Sequence, residues 1–270
     1  MQGLTVIRNH PFFQSVKEES FHLLLINAGY TILDIGCGIG QDARNLVHLC
    51  SPEGNVIGSD ISFSVLSKAR NDYAGHNISF CQMNGQYQAI KDNSCDAIRE
   101  DRVLQHVINP KQIIREMFRI LKPGGRCVLF EPDWGAFLVD GYGSSRITRD
   151  ILDFWSDKFA CGHIGRKLRR MCLSVGFTDL VVIPKTYIFT DLAEAESIFT
   201  LSENAKLVAI SGIVTAGDAE EYIRFLCNRD KEGKFFCSFT GYLVSGKKPE
   251  NIKNYRILQH FLIFNEVNIY

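Results

Sequence analysis

The stretch from Thr31 to Gly40 restricts the fold more than any other part of the chain. Its apolar run Ile32-Leu33-Asp34-Ile35 reads as a buried strand, which empties into Gly36-Cys37-Gly38-Ile39-Gly40. A helical pattern opens immediately afterwards, at Asp42-Ala43-Arg44-Asn45-Leu46-Val47. Glycine takes positive φ without strain and lets a backbone approach a ligand closely. Asn55 to Ser59 reads as a second, parallel strand, and Asp60 closes it 20 residues after Gly40. A carboxylate at that strand end is placed to accept hydrogen bonds from a ribose. This order predicts a parallel α/β sheet with an adenosine-containing cofactor at its carboxyl edge.

The glycine spacing argues against a dinucleotide. Nicotinamide and flavin fingerprints run G-x-G-x-x-G and point a helix N-terminus at a pyrophosphate. Here the pattern is G-x-G-x-G, followed by Gln41, with Asp34 two residues before the first glycine. That carboxylate would repel a pyrophosphate but suits the ammonium group of a methionine moiety.

Strand and helix signals continue to alternate. A helix is expected over Lys17 to Ala28 and another after Ser62, which can serve as its N-cap. Ile78 to Cys81 and Asp96 to Glu100 read as the third and fourth strands. Pro110 opens a helix carrying Ile113-Ile114, Met117-Phe118 and Leu121 at helical spacing. Lys122-Pro123-Gly124-Gly125 ends it, and Arg126 to Phe130 forms a fifth strand. Such alternation implies a doubly wound parallel sheet. After Trp134 the alternation breaks. Helices are expected over Ile147 to Phe159, Leu168 to Val175, Ala193 to Ser211 and Asp218 to Cys227. Thr178 to Phe189 and Phe235 to Ser245 read as the last strands.

With 270 residues the chain can form one large domain, or a domain with a small lid. Lys and Arg (30) balance Asp and Glu (30), so no global field attracts a polyanion, and nucleic acid is an unlikely partner. Nine scattered cysteines without a C-x-x-C pair read as reduced core residues, with no metal site. No apolar run reaches the roughly 18 residues of a membrane span. Met1 to Phe13 lacks a signal-peptide pattern. A cytoplasmic protein is expected; its oligomeric state is left open.

Taken in order, these segments resemble the class I S-adenosylmethionine-dependent methyltransferases, whose first motif is close to L-D-x-G-x-G-x-G. The match covers most of residues 30 to 248. It implies a doubly wound, mostly parallel seven-stranded sheet with a helical lid inserted before the last strands. Arg102-Val103-Leu104-Gln105-His106-Val107, Lys122 to Arg126, Phe130-Glu131-Pro132-Asp133-Trp134 and the ending Phe235 to Pro249 resemble the small-molecule branch. That branch includes ubiquinone and menaquinone C-methyltransferases and tailoring methyltransferases of natural products. The N/D-P-P-[YFW] motif of amino-directed enzymes is absent; Glu100-Asp101-Arg102 stands in its place.

The resemblance implies S-adenosyl-L-methionine bound by Asp34, Gly36, Cys37, Gly38 and Gly40 of the loop, and by Asp60 and Ile61. Asn84 takes the place of the acid that usually contacts the adenine amino group, Gly85 offers a backbone N–H, and Glu100 and Arg102 complete the set. His106 and Asp133 are the candidate catalytic residues, with Arg102 as an anion partner; Glu131 either shares that work or orients the chain. The domain reading is a cofactor-binding core (1–133), a lid segment (134–165), a core helix and strand (166–190), lid helices (191–230), a last strand (231–248) and a tail (249–270). Phe137, Tyr142, Phe154, Trp155 and Phe159 either shape an apolar acceptor pocket or belong to the core. The small residues from Gly141 to Ser145 are expected to act as lid hinges. The expected reaction is methyl transfer to carbon or oxygen of a small, apolar or aromatic acceptor. The alternatives are RNA, through Arg166 to Arg170, protein, arsenite through Cys161 and Cys172, or a non-catalytic binding module.

Overall fold

The computed structural model describes residues 10–141 and 146–251. Tyr142, the Gly143 to Ser145 part of the expected hinge and most of the 249–270 tail lie outside them. In chain order the elements are α1 (Pro11–Leu23), β1 (Thr31–Ile35), α2 (Gln41–Cys50), β2 (Asn55–Asp60), α3 (Phe63–Asp72), β3 (Ile78–Gln82) and β4 (Cys95–Asp101). A 3-10 turn over Leu104–His106 leads to α4 (Pro110–Ile120), β5 (Leu121–Val139), α5 (Arg146–Asp157) and a second such turn over Gly165–Lys167. Then come α6 (Leu168–Val175), β6 (Thr178–Phe189), α7 (Leu192–Phe199), α8 (Leu201–Ile210), α9 (Ala216–Lys231) and β7 (Cys237–Lys247).

One seven-stranded sheet has the order β3-β2-β1-β4-β5-β7-β6. The pairs among β1 to β5 are parallel, and β7 enters antiparallel between β5 and β6. The two-residue period of the strands divides the core. Ile32, Val56, Ala97, Val128 and Leu243 pack under α1, α2 and α3. Leu33, Ile98, Cys127, Leu129 and Val244 pack under α4 and α6. A third cluster, rich in aromatic rings, joins the far end of β5 to α5 and to α7 through α9. Among the described residues no helix is long and apolar enough to cross a membrane.

Three expected elements differ. The first helix begins at Pro11, because proline is preorganised for the first turn and the His10 ring accepts the Phe12 amide hydrogen at 3.2 Å. The helix expected over Ala193 to Ser211 is two helices, broken at Thr200 (φ 48°). Buried Asn204 stabilises the break by donating its side-chain N–H to the Phe199 carbonyl at 2.7 Å. The fifth strand runs to Val139, so residues 134–139, read as the start of the lid segment, belong to the sheet. Its long ribbon with β7 sustains it, with a register shift between Asp133 and Leu138.

Candidate active site

The glycine loop is held from below by the end of β2. Gly36 and Cys37 both donate their amides to the Ser59 carbonyl, at 2.7 and 3.0 Å. Asp60 braces the loop from the side, accepting the Gly38 amide at 3.0 Å and the Ser62 amide at 2.9 Å. Gly36 has φ +73°, and a Cβ there would lie 2.1 Å from Val103 Cγ2, so only glycine keeps the space open. Gly40 caps α2 and takes φ +81°. The space so preserved is a trough of about 550 Å³ lined by Gly36, Gly38, Asp60, Ile61, Asn84, Gly85, Arg102 and His106. Ten of the expected site residues therefore meet around hollows at the carboxyl edge, counting Asp34 and Cys37 of the polar end described next. The Asn84 side-chain oxygen accepts the Gln86 amide at 2.9 Å, and Gly85 packs closely on Ile113.

At one end the trough meets a polar hollow of about 110 Å³, where Asp34, Asp42, Arg99, Asp101, Arg102 and Lys17 converge. Arg99 is 2% exposed in its side chain and reaches Asp34 at 3.3 Å, Asp42 at 3.2 Å and Asp101 at 2.8 Å. Asp101 also accepts from Arg102 Nε at 2.6 Å, and flanked by these guanidinium groups its carboxyl is held well below the usual range despite burial. Burial acts the other way on Asp34 and raises its pKa to about 7, against the pull of Arg99. One Asp34 oxygen, Oδ2, is buried without a partner. Cys37 contributes backbone; desolvation of its half-buried thiol pushes the pKa up, and its S–H points to the Gly38 carbonyl at 3.8 Å.

A third hollow, of about 310 Å³, opens on the other side of Arg102. Its walls are aromatic: Phe13, Phe130, Trp134, Trp155, Phe159, Phe199 and Phe239. Trp134 and Phe159 stack at 5.2 Å between centroids, and Trp134 Nε1 donates to Gln105 Oε1 at 2.9 Å, which fixes the indole. Asp101, Arg102 and His106 line both this hollow and the trough. Burial, and then the positive charge of Arg102, lower the His106 pKa, so its ring is neutral at pH 7. Of the expected lid aromatics, Trp155 and Phe159 reach this hollow, while Phe137 is core.

Strand parity separates the remaining candidates. Phe130, Pro132 and Trp134 line the acceptor-sized hollow. Glu131 and Asp133 alternate to the opposite face. Asp133, expected at the methyl group, is 1% exposed, accepts from Arg166 Nε at 2.5 Å and from the Gly135 amide at 3.1 Å, and lines none of the three hollows. Glu100, expected at the cofactor, points to the same face as Glu131 and accepts the Val103 amide at 2.5 Å. Both placements correct the expectation, because neither side chain can turn through its own strand. Cys161 and Cys172, the thiols an arsenite site would need, line none of these hollows, and burial pushes the Cys172 thiol up to about 12. Lys17, Asp101, Phe13 and Phe239 escaped the sequence reading. Lys17 and Phe13 lie on a helix that carries no motif, and the signal for Asp101 was its place between Glu100 and Arg102.

A family model described as a methyltransferase domain matches residues 26–163. The chain belongs to that family, and its sheet is the fold of the class I enzymes that use S-adenosylmethionine. An uncharacterized 37.1 kDa protein of transposon TN4556 from Streptomyces fradiae is 34% identical over 235 residues, covering 86% of this chain and 66% of the relative. A ubiquinone/menaquinone biosynthesis C-methyltransferase of Hahella chejuensis is 36% identical over 110 residues, 39% of this chain and 44% of that protein. The matches thus span from under half to about two thirds of these relatives' lengths. Among solved structures, phosphoethanolamine N-methyltransferase 2 of Haemonchus contortus, in complex with S-adenosyl-L-methionine, superposes with a TM-score of 0.55 at 16% identity. That match covers 87% of this chain and 52% of the other. The YcgJ protein of Bacillus subtilis gives 0.60 at 15% identity, over 88% of this chain and 100% of the other. Both share the fold. The residues present fit the cofactor: a trough that a Cβ at Gly36 would close, a carboxylate at the end of β2, and an orphaned buried oxygen on Asp34 beside cationic partners.

Proposed function

We propose that this chain transfers a methyl group from S-adenosylmethionine to a carbon or oxygen of a small, largely apolar aromatic acceptor. The observation that carries the reading is the junction at Asp101, Arg102 and His106, where the trough of the glycine loop opens into the aromatic hollow. When bound, the cofactor supplies an already activated methyl on a sulfonium. The protein's task is then to place an acceptor in line and exclude water.

Asp60 takes the ribose hydroxyls, and Asn84 and Gly85 face the adenine. Arg102 and Lys17 receive the methionine carboxylate, and Asp34 or Asp101 its ammonium. The stacked Trp134 and Phe159, with Phe199 and Phe239, present ring faces to a planar acceptor and keep the hollow dry. His106, neutral at pH 7, accepts the proton that a phenol or an acidic carbon must lose. Arg102 stabilises the developing anion. Among the described residues no cysteine lines the aromatic hollow, which favours this reading over arsenite, and Arg166 of the basic run is paired with Asp133.

Labelled S-adenosylmethionine incubated with quinols, phenols, arsenite and tRNA tests this reading. Label is expected in a phenol or quinol. Transfer to tRNA or arsenite alone would replace it.

A further inference from the structure

Glu100, near the end of β4, and Glu131, on β5, are 1% and 0% exposed and share one face of the sheet, Glu131 standing two residues beyond Leu129, the register partner of Glu100, so that the two carboxyls meet on the diagonal. Oε1 of Glu100 accepts the Val103 amide at 2.5 Å and the Leu104 amide at 3.4 Å. Oε1 of Glu131 accepts the same Leu104 amide and the Gln105 amide, the latter at 3.3 Å. Both carboxyls therefore grip one turn, and that turn presents Val103 and His106 to the trough. The second oxygen of each is buried and has no donor. Among the described residues no lysine, arginine or histidine forms an ion pair with either. Asp101 and the Cys172 thiol of α6 act on Glu100, Tyr242 of β7 is the register partner of Glu131, and His163 and Arg166 are turned to Asp133.

Two ionised carboxylates in contact inside a core repel each other without compensation, whereas one proton between them supplies the missing donor and halves the buried charge. We propose that Glu100 and Glu131 form one positioning device, in which a shared proton joins the two carboxyls and the joined pair holds the turn that sets Val103 and His106 in the active site. Burial raises the Glu100 carboxyl to about 7 and that of Glu131 well above the usual carboxylate range, so the pair still holds a proton at neutral pH. Losing it separates the carboxyls and loosens the Val103 to Gln105 amides. The inference rests on the trough being the cofactor site only for its functional consequence; the state of the turn can be read without any ligand.

Glutamine keeps the acceptor oxygen and supplies a permanent donor, so Glu131→Gln imitates the joined pair. The experiment follows amide hydrogen exchange of residues 103–105, corrected for intrinsic rate, and S-adenosylhomocysteine affinity at pH 6 and pH 9. In the unmodified protein, exchange should speed up about tenfold and affinity fall about fivefold between the two pH values. E131Q should hold both within about twofold. E131A should show the open turn at pH 6 already; if it does not fold, the comparison with E131Q still decides. An E131Q protein with the pH dependence of the original, or with a turn as open as that of E131A, overturns the proposal. If the exchange pattern is as expected while S-adenosylhomocysteine binds no form, the pair stands and the assignment of the trough falls.

Discussion

Arg102 Nε donates to Oδ1 of its own neighbour Asp101 at 2.6 Å, across a backbone step in which Arg102 takes φ 60°. That left-handed step ends β4, and the Arg102 amide is retained by the Phe130 carbonyl of β5 at 2.9 Å. Among the described residues, these two neighbours alone line all three hollows. Their pairing therefore links the methionine end, the trough and the acceptor space.

Asp60→Ala removes the acceptor of the Gly38 and Ser62 amides and, on the proposed reading, of the ribose hydroxyls. Titration calorimetry should find S-adenosylhomocysteine binding weakened by about 2–3 kcal/mol. Unchanged affinity would take the ribose out of this position.

Arg99→Met leaves Asp34 and Asp101 facing a methionine in place of the cation that joined them. Removing one partner from a buried charge cluster costs about 3–5 kcal/mol, because the remaining charges stay desolvated. Urea unfolding should show the midpoint fall accordingly. A loss below about 1 kcal/mol would mean that water already solvates the cluster.

Asp34 gives the fold a pH dependence of definite sign. Its pKa is raised to about 7 by burial, so the folded chain binds this proton more tightly than the unfolded chain. The stability it contributes is whole below pH ~4 and is lost as pH rises through about 7. Asp34→Asn cannot ionise. Its stability relative to the original should therefore improve by a few kcal/mol between pH 4 and pH 8, read by denaturant unfolding at each pH. Parallel curves would show that Arg99 keeps Asp34 ionised throughout.

His106→Ala should lower turnover about a hundredfold once an acceptor is in hand, with S-adenosylhomocysteine affinity and melting temperature nearly unchanged. Among the described residues the ring forms no side-chain hydrogen bond; it lies beside Phe159, at 5.6 Å between centroids, and feels the charge of Arg102. A variant that keeps its rate would leave proximity alone to carry the reaction.

The helices α5 and α7 cover the aromatic hollow through Trp155, Ile198 and Phe199, and α8 and α9 pack behind them. We expect this cover to move when ligands enter. Tryptic cleavage at Lys206 and Arg224 should then slow severalfold with S-adenosylhomocysteine and acceptor present. Cleavage indifferent to both would mean a static cover.

By itself the sequence determined the parts whose cause is local. Ile32 to Ile35, the three glycines and Asp60 were legible because apolar runs, positive-φ turns and strand ends follow from neighbours along the chain. The helix over Leu168 to Val175, closed by Gly176 at φ 118°, was readable for the same reason. The tertiary structure decided what depended on the face of a strand and on residues remote in sequence. Asp133 and Trp134 are adjacent, yet the pleat of β5 sends one to Arg166 and the other to the aromatic hollow. Glu100 and Glu131 meet only because β4 lies beside β5, and Lys17 enters the site only because α1 packs across the sheet. Which carboxylate serves a ligand and which serves the fold was settled there, since burial and partners, rather than residue type, set the charge each one carries.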